Sequence, residues 1–147
     1  MREIKFRGKC SHCDELVYGN LVDYGEDEIP EIHGFDPFRE GEENWRNVTV
    51  DRDSICQFTG IKDALYHEIY EGDIVKIDGC PEKGCLVVVF YEGSFALATP
   101  KEYDSLQRGE HPYLNDYACL TPLGSHGYQG LYKIIGNVIE NPEMIKV

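Results

Sequence analysis

Short apolar segments separated by turn residues constrain the fold of this chain more than any other feature of its sequence. Five segments fit β-strands, in chain order DIVKI (73–77), CLVVVFY (85–91), FALA (95–98), YACLTPL (117–123) and LYKIIGNVIE (131–140). The second is a β-branched run suited to a buried central strand, and Gly136 in the last predicts a bulge. Five short strands with tight turns predict a small closed β-barrel.

The first part of the chain predicts a β-hairpin followed by a long loop. EIKFRGK (3–9) alternates apolar and polar residues, LVYGNLVDY (16–24) fits a second strand, and CSHCDE (10–15) between them has hairpin length. Residues 25–44 are acidic, contain two prolines and three glycines, and show no sustained period. They are therefore predicted to form a long surface loop without regular structure.

Helical structure is predicted only in short pieces. Asp51 or Asp53 is placed to cap a short helical turn. One short helix is expected within residues 100–117, and Asn-Pro in NPEM (141–144) favours a turn or one helical turn.

Charge is distributed unevenly along the 147 residues, whose net charge is −13. Residues 14–53 contain thirteen acidic residues and three arginines, a net charge of −10. Such a surface repels phosphate backbones, because nucleic-acid affinity depends largely on Lys and Arg. The composition therefore disfavours nucleic-acid binding and favours a basic protein partner, or acidity that serves only solubility.

The sequence predicts a cytoplasmic protein. The basic start, MREIKFRGK, is not followed by the long apolar run of a secretory signal. No stretch approaches the roughly 20 apolar residues that cross a membrane. A composition of 41% hydrophobic and 28% charged residues is typical of a soluble globular protein.

The six cysteines, at positions 10, 13, 56, 80, 85 and 119, are expected to be free thiols in a reducing compartment. Cys56 and Cys119 have apolar neighbours and are predicted to be small buried residues.

Cys10 and Cys13 have the spacing of half a zinc site. The two further ligands would be either Cys80 and Cys85 or His111 and His126. The alternative is a polar hairpin tip that carries two thiols. A thioredoxin-like site is disfavoured because no βαβ pattern follows.

No catalytic residue or cofactor site is predicted. The five histidines form neither HxH nor HExxH, and no serine lies in a GxSxG motif. The glycines form neither GxGxxG nor a P-loop, and turn conformations explain them.

Several blocks of the sequence resemble the YopX family of small proteins, which are encoded mostly by bacteriophages and prophages. The blocks are REIKFRGK (2–9), VYGNLV (17–22), QFTGIKD (57–63), EIYEGDIVKI (68–77) and IIGNVIENPEM (134–144). The resemblance implies a β-rich N-terminal part, a C-terminal SH3-like barrel and assembly into homo-oligomers. It implies no established activity, cofactor or catalytic residue.

The chain departs from the family pattern in two places. ALYH (64–67) replaces an Asn-Gly-type tight turn, which leaves Leu65 and Tyr66 exposed or gives them a packing partner. CSHC (10–13) replaces a polar hairpin tip without cysteines, which supports the interpretation of these thiols as part of an ordinary tip.

The sequence as a whole predicts an α+β, mostly β protein. Residues 1–68 form an N-terminal β-hairpin region with a long loop, and residues 69–147 an SH3-like small barrel. The predicted function is that of a non-enzymatic phage or prophage accessory protein, which acts through protein contacts of the acidic segment 14–53. The alternatives are a small-barrel nucleic-acid-associated module and an acidic mimic of nucleic acid.

Overall fold

The computed structural model describes residues 1, 3–35, 45–79, 81, 84–114 and 132–147. The described structure is mostly β with one α-helix, as predicted. The chain divides into two compact units, residues 1–58 and 59–147, whereas the sequence placed a boundary after residue 68. No helix in the described part of the chain has the length and apolar character needed to cross a membrane.

The described strands of the first unit form an antiparallel sheet in the order β4-β3-β2-β1-β5. These strands are β1 (Phe6–Lys9), β2 (Leu16–Val22), β3 (Glu31–Phe35), β4 (Trp45–Thr49) and the first residues of β5 (Cys56–Lys62). The predicted hairpin is confirmed as β1 and β2, whose register pairs Phe6 with Gly19 and Lys9 with Leu16.

Strand β3 shows that the prediction of an irregular loop over 25–44 was wrong in part. It pairs with β2 on one side and β4 on the other, and Ile32 is only 1% exposed. Pro30 and Gly34 have low strand propensity, so the sequence pattern of this segment does not indicate a strand. Pairing with β2 and β4 stabilises the strand instead. Residues 36–44 lie outside the described part.

Glycine permits a close approach between β2 and β3. A Cβ at Gly34 would lie 2.0 Å from the backbone oxygen of Tyr18, and a Cβ at Gly19 would lie 2.2 Å from that of His33. Because both contacts are with backbone atoms, any side chain here would push the paired strands apart.

The 3-10 turn Arg52–Ser54 confirms the helical turn predicted near Asp51. The Asp51 side chain does not cap it, however; the Asp51 carbonyl accepts hydrogen bonds from the Ser54 N–H and hydroxyl instead. Cys56, which follows the turn, is buried as predicted.

The second unit contains the end of β5 and most of the predicted C-terminal elements. They are β6 (Glu68–Tyr70), β7 (Asp73–Ile77), β8 (Leu86–Tyr91), β9 (Ser94–Ala98), α1 (Pro100–Gln107), β10 (Tyr132–Asn137) and a 3-10 turn, Pro142–Ile145. A capping box between Thr99 and Glu102 begins α1. The predicted bulge is confirmed, because the β7–β10 register shifts between Ile134 and Gly136.

The sheet of the second unit is buried on both faces, since alternate side chains of β8 point to opposite sides. One core combines this sheet with β5 and β6 and contains Ile61, Ile69, Val75, Leu86, Val88, Leu97 and Tyr132. The other core, which α1 covers, contains Val87, Val89, Ala96 and Ala98. The predicted buried central strand is therefore confirmed.

A closed SH3-like barrel is not confirmed. The described strands form an open antiparallel sheet, β10-β7-β8-β9, with β9 and β10 at its edges. The predicted strand 117–123 lies outside the described residues, and within the described part no strand joins the two edges. Strand count alone does not determine closure, which also depends on strand tilt and stagger.

Candidate functional site

Within the blocks that resemble the YopX family, buried polar side chains form hydrogen bonds with backbone groups. The Thr59 hydroxyl donates to the carbonyl of Ile69 at 2.7 Å and accepts from the N–H of Ile61 at 3.2 Å. Asp73 Oδ2 accepts from the N–H of Tyr70 at 2.7 Å. These bonds fix the connections from β5 to β6 and from β6 to β7.

Gly72 and Asn137 have comparable roles. Gly72, with φ +79°, donates its N–H to the Val88 carbonyl at 2.8 Å and accepts from the Val138 N–H at 2.9 Å. Asn137 Oδ1 accepts from the Glu140 N–H at 2.9 Å, and its Nδ2 donates to the Glu140 carboxylate at 2.7 Å. The conformation of the main chain accounts for these residues without any reaction chemistry.

The Asp63 turn (residues 63–67) is built around a buried carboxylate. Asp63 Oδ1 accepts from the N–H groups of Leu65 and His67, both at 2.9 Å. Its Oδ2 accepts from the N–H of Ile134 in β10 at 3.3 Å. One side chain therefore closes the turn and ties it to the neighbouring strand.

The Asp63 carboxyl is only 4% exposed and is nevertheless held in its charged form. Burial raises its pKa, but hydrogen bonds from the backbone N–H groups outweigh burial and hold the pKa below its ordinary value. Of the two outcomes expected for Leu65 and Tyr66, exposure is the one observed. Tyr66 has φ +64°, a conformation that side chains other than glycine seldom adopt.

A groove of about 630 Å³ lies beside this turn. It is lined by Ala64, Leu65, Lys76, Ile77, Asp78, Gly79, Pro81, Gly84, Tyr132 and Lys133. Lys76 and Lys133 are exposed and stand opposite each other in the β7–β10 register. Neither forms an ion pair with a carboxylate in the described part of the chain. Two adjacent positive charges beside apolar side chains favour an anionic ligand.

The acidic loop (residues 23–29) is held by Arg52. The guanidinium donates to both carboxylate oxygens of Asp23, at 2.9 and 3.0 Å. It also donates to the carbonyls of Gly25 at 2.7 Å and Glu28 at 3.0 Å. The hydrogen bond from Arg52, followed by one from the Gly25 N–H, lowers the pKa of Asp23 to about 2.

The outer side chains of the acidic loop are both charged and apolar. Glu26, Asp27 and Glu28 are exposed. Tyr24 and Ile29 flank them and are 57% and 61% exposed. The loop therefore presents three carboxylates and two large apolar side chains on a backbone that Arg52 shapes.

The thiols of Cys10 and Cys13 lie together at the tip between β1 and β2. Cys10 is buried, Cys13 is exposed, and their side chains share a hydrogen bond. In the part of the chain that the structure describes, no three His, Cys, Asp or Glu side chains are grouped as metal ligands. Because Cys80 lies outside that part, a zinc site with Cys80 and Cys85 stays a prediction.

These features define a small, mostly β protein in two units, whose surface carries an acidic loop, a lysine-lined groove and a pair of thiols. The family model described as YopX protein matches residues 5–146, nearly the whole chain. The chain belongs to the YopX family.

A solved structure shares this fold. The crystal structure of protein EF1440 from Enterococcus faecalis is 21% identical in sequence, with a TM-score of 0.55. The similarity covers 99% of this chain and 100% of that chain, and at this identity it shows the fold alone. No curated protein matches the sequence.

Sequence reasoning did not single out Asp63 or Arg52. For Asp63 a signal was present, because an Asp before a turn often accepts the N–H of a residue two positions later. Arg52 lies 29 residues after Asp23 in the chain. No local pattern connects them, and only the antiparallel sheet brings them together.

Proposed function

We propose that this protein is a non-enzymatic phage or prophage accessory protein that binds a basic protein through its acidic segment 14–53. The acidic loop is the observation that carries the proposal. Its backbone is already ordered by Arg52, so binding requires little loss of conformational freedom. The phage or prophage origin rests on membership of the YopX family.

The side chains of the loop favour a partner with mixed chemistry. Tyr24 and Ile29 offer apolar contact area on either side of the carboxylates. The carboxylates between them favour Lys and Arg on the partner and increase the rate of encounter. A DNA-binding protein is a special case of such a partner, and the acidic surface would then mimic nucleic acid.

The test is affinity capture from cells that carry the phage or prophage, with elution by increasing salt. The screening length falls from about 10 Å at 0.1 M salt to about 3 Å at 1 M. A partner bound mainly by charge should therefore elute between these two salt concentrations. Glu26→Gln/Glu28→Gln should retain far less of that partner. The control Glu92→Gln/Glu143→Gln neutralises two exposed carboxylates of the second unit. The proposal would be refuted if the amount of partner retained changed neither with salt nor with Glu26→Gln/Glu28→Gln.

The lysine-lined groove favours a second candidate function, that of a nucleic-acid-associated module. Lys76 and Lys133 form a local basic site despite the net charge of −13. Fluorescence anisotropy with single- and double-stranded oligonucleotides at low salt should then show binding that Lys76→Gln/Lys133→Gln weakens. Lys101→Gln/Lys146→Gln removes the same charge from exposed positions outside the groove lining. Equal loss in both variants would point to non-specific attraction alone.

A further inference from the structure

The loop from Cys10 to Glu15 is fixed at both ends by backbone hydrogen bonds. The Cys10 N–H donates to the Glu15 carbonyl at 2.9 Å, which closes the loop around Cys13. The Ser11 N–H donates to the Thr49 carbonyl at 3.0 Å and ties the same loop to the end of β4. The two cysteines are therefore held within one tight, anchored loop.

The two thiols differ in access but interact directly. Cys10 is 6% exposed, whereas Cys13 is exposed to solvent. The hydrogen bond from the Cys13 side chain lowers the pKa of the Cys10 thiol, and the same hydrogen bond raises the pKa of Cys13. Access to solvent therefore assigns the first reaction with a dissolved disulfide to Cys13 and the second to the shielded Cys10.

We propose that Cys10 and Cys13 form a redox-active dithiol that undergoes exchange with small-molecule disulfides. This activity does not depend on the protein-binding role of the acidic loop. The proposal rests on two cysteines within one short loop that backbone hydrogen bonds anchor, one of them accessible and the other shielded.

The exchange has two balanced steps. The exposed Cys13 releases its proton to solvent, and its thiolate attacks one sulfur of the disulfide. The disulfide bond breaks, a mixed disulfide forms on Cys13, and the first thiol leaves with a proton from solvent. Cys10 then releases its proton to solvent, its thiolate attacks the Cys13 sulfur, and the second thiol leaves with a proton from solvent. The protein loses two electrons and two protons, and the small disulfide gains both.

The sequence allows a specific readout in the full-length protein. Trypsin cleaves after Lys9 and Arg39, so the peptide 10–39 carries Cys10 and Cys13 and no other cysteine. The protein is equilibrated in glutathione buffers of increasing disulfide content, quenched with acid and alkylated. It is then digested with trypsin, and the peptide masses are measured by mass spectrometry. We expect peptide 10–39 to lose two hydrogens and its capacity for alkylation, and to regain both after reduction.

A solitary thiol in the same protein provides an internal reference. The peptide 53–62 carries Cys56 alone, which is buried. Oxidation of the 10–39 peptide should be at least about tenfold faster than glutathione attachment to Cys56. Its half-oxidation point should not depend on protein concentration, because the new bond lies within one chain.

Two serine variants test the assigned order of attack. Cys10→Ser leaves the exposed thiol without a resolving partner, so a glutathionyl group should accumulate on Cys13. Cys13→Ser leaves only the shielded thiol, which should stay alkylatable under the same conditions. Two free thiols in wild-type peptide 10–39 at excess glutathione disulfide would overturn the proposal. A disulfide between two chains, or equal glutathione attachment in the two variants, would overturn it as well.

Discussion

Asp63 and Arg52 each hold a loop with one charged side chain, but they do so in opposite environments. Asp63 is a buried anion that accepts three backbone N–H bonds in the second unit. Arg52 is a partly exposed cation in the first unit that donates to two backbone carbonyls and to a carboxylate. The number of bonds is similar, whereas access to water is not.

This difference determines what each residue does. Where water is excluded, a lost hydrogen bond leaves an unsatisfied polar group and costs the full free energy of its desolvation. Where water has access, it replaces the lost partner and little stability is lost. We infer that Asp63 stabilises the fold of its unit, while Arg52 mainly determines the shape of a surface loop.

The largest effect is expected from Asp63→Ala. It removes the acceptor for Leu65, His67 and Ile134, and should lower the free energy of unfolding by about 2 kcal/mol. Urea unfolding followed by circular dichroism measures this change. Asp78→Ala is the control, because that exposed carboxylate accepts only from Gly79 in the described hydrogen bonds and should change the free energy by less than about 0.5 kcal/mol. Equal effects of the two substitutions would remove the distinction between buried and exposed anchors.

The depressed pKa of Asp63 adds a pH dependence to this contribution. A carboxyl whose pKa is lower in the folded state stabilises the protein above its unfolded pKa of about 3.9. That stability is lost as the pH falls through the folded value, because the unfolded chain then takes up the proton first. The difference in unfolding free energy between wild type and Asp63→Asn should therefore be constant from neutral pH to about 4.5 and decrease below it. A difference that grows on acidification would contradict the assignment.

A smaller effect of opposite sign is expected from Tyr66→Gly. Tyr66 is 83% exposed and has φ +64°, a conformation that costs a side chain about 1 kcal/mol or more. Glycine removes this strain but makes the unfolded chain more flexible, so the expected net gain is about 0.5 kcal/mol. Tyr113→Gly, at an equally exposed tyrosine without positive φ, should give no gain. Destabilisation by Tyr66→Gly would mean that the tyrosine contributes packing to the turn.

Sequence patterns predicted β7, β8 and β9 because the hairpins between these strands are local. β7, β8 and β9 follow one another along the chain and pair in that order, so periodicity and turn residues suffice. β3 could not be predicted in this way, because its order comes from two neighbouring strands. Barrel closure depends on how edge strands meet, which turn residues do not encode.

The candidate sites were less predictable than the fold. Cys10 and Cys13 were visible as a motif, because their chemistry depends on spacing in the chain. The sequence showed the charge excess of the acidic loop. It did not show that the backbone of the loop is ordered, because the hydrogen bonds come from Arg52, which follows β4 and is distant from the loop in the chain. Lys76 and Lys133 become neighbours only through the register of β7 and β10.

Arg52→Gln should have the smallest effect on global stability, but it should clearly increase the local mobility of the acidic loop. The urea midpoint should change little, while the acidic loop loses the bonds that order it. Limited digestion with a glutamate-specific protease should then cut after Glu26 and Glu28 several-fold faster, because local opening controls cleavage.

Arg52→Lys should behave similarly, since an ammonium cannot reproduce the planar fork that bonds Asp23 and the two carbonyls. Arg108→Gln removes an exposed arginine that pairs with Asp104 and Glu110 in the second unit, and should leave cleavage of the loop unchanged. If Arg52→Gln instead unfolds the protein as Asp63→Ala does, the exposed cation is part of the folding core, and the contrast between the two anchors is lost.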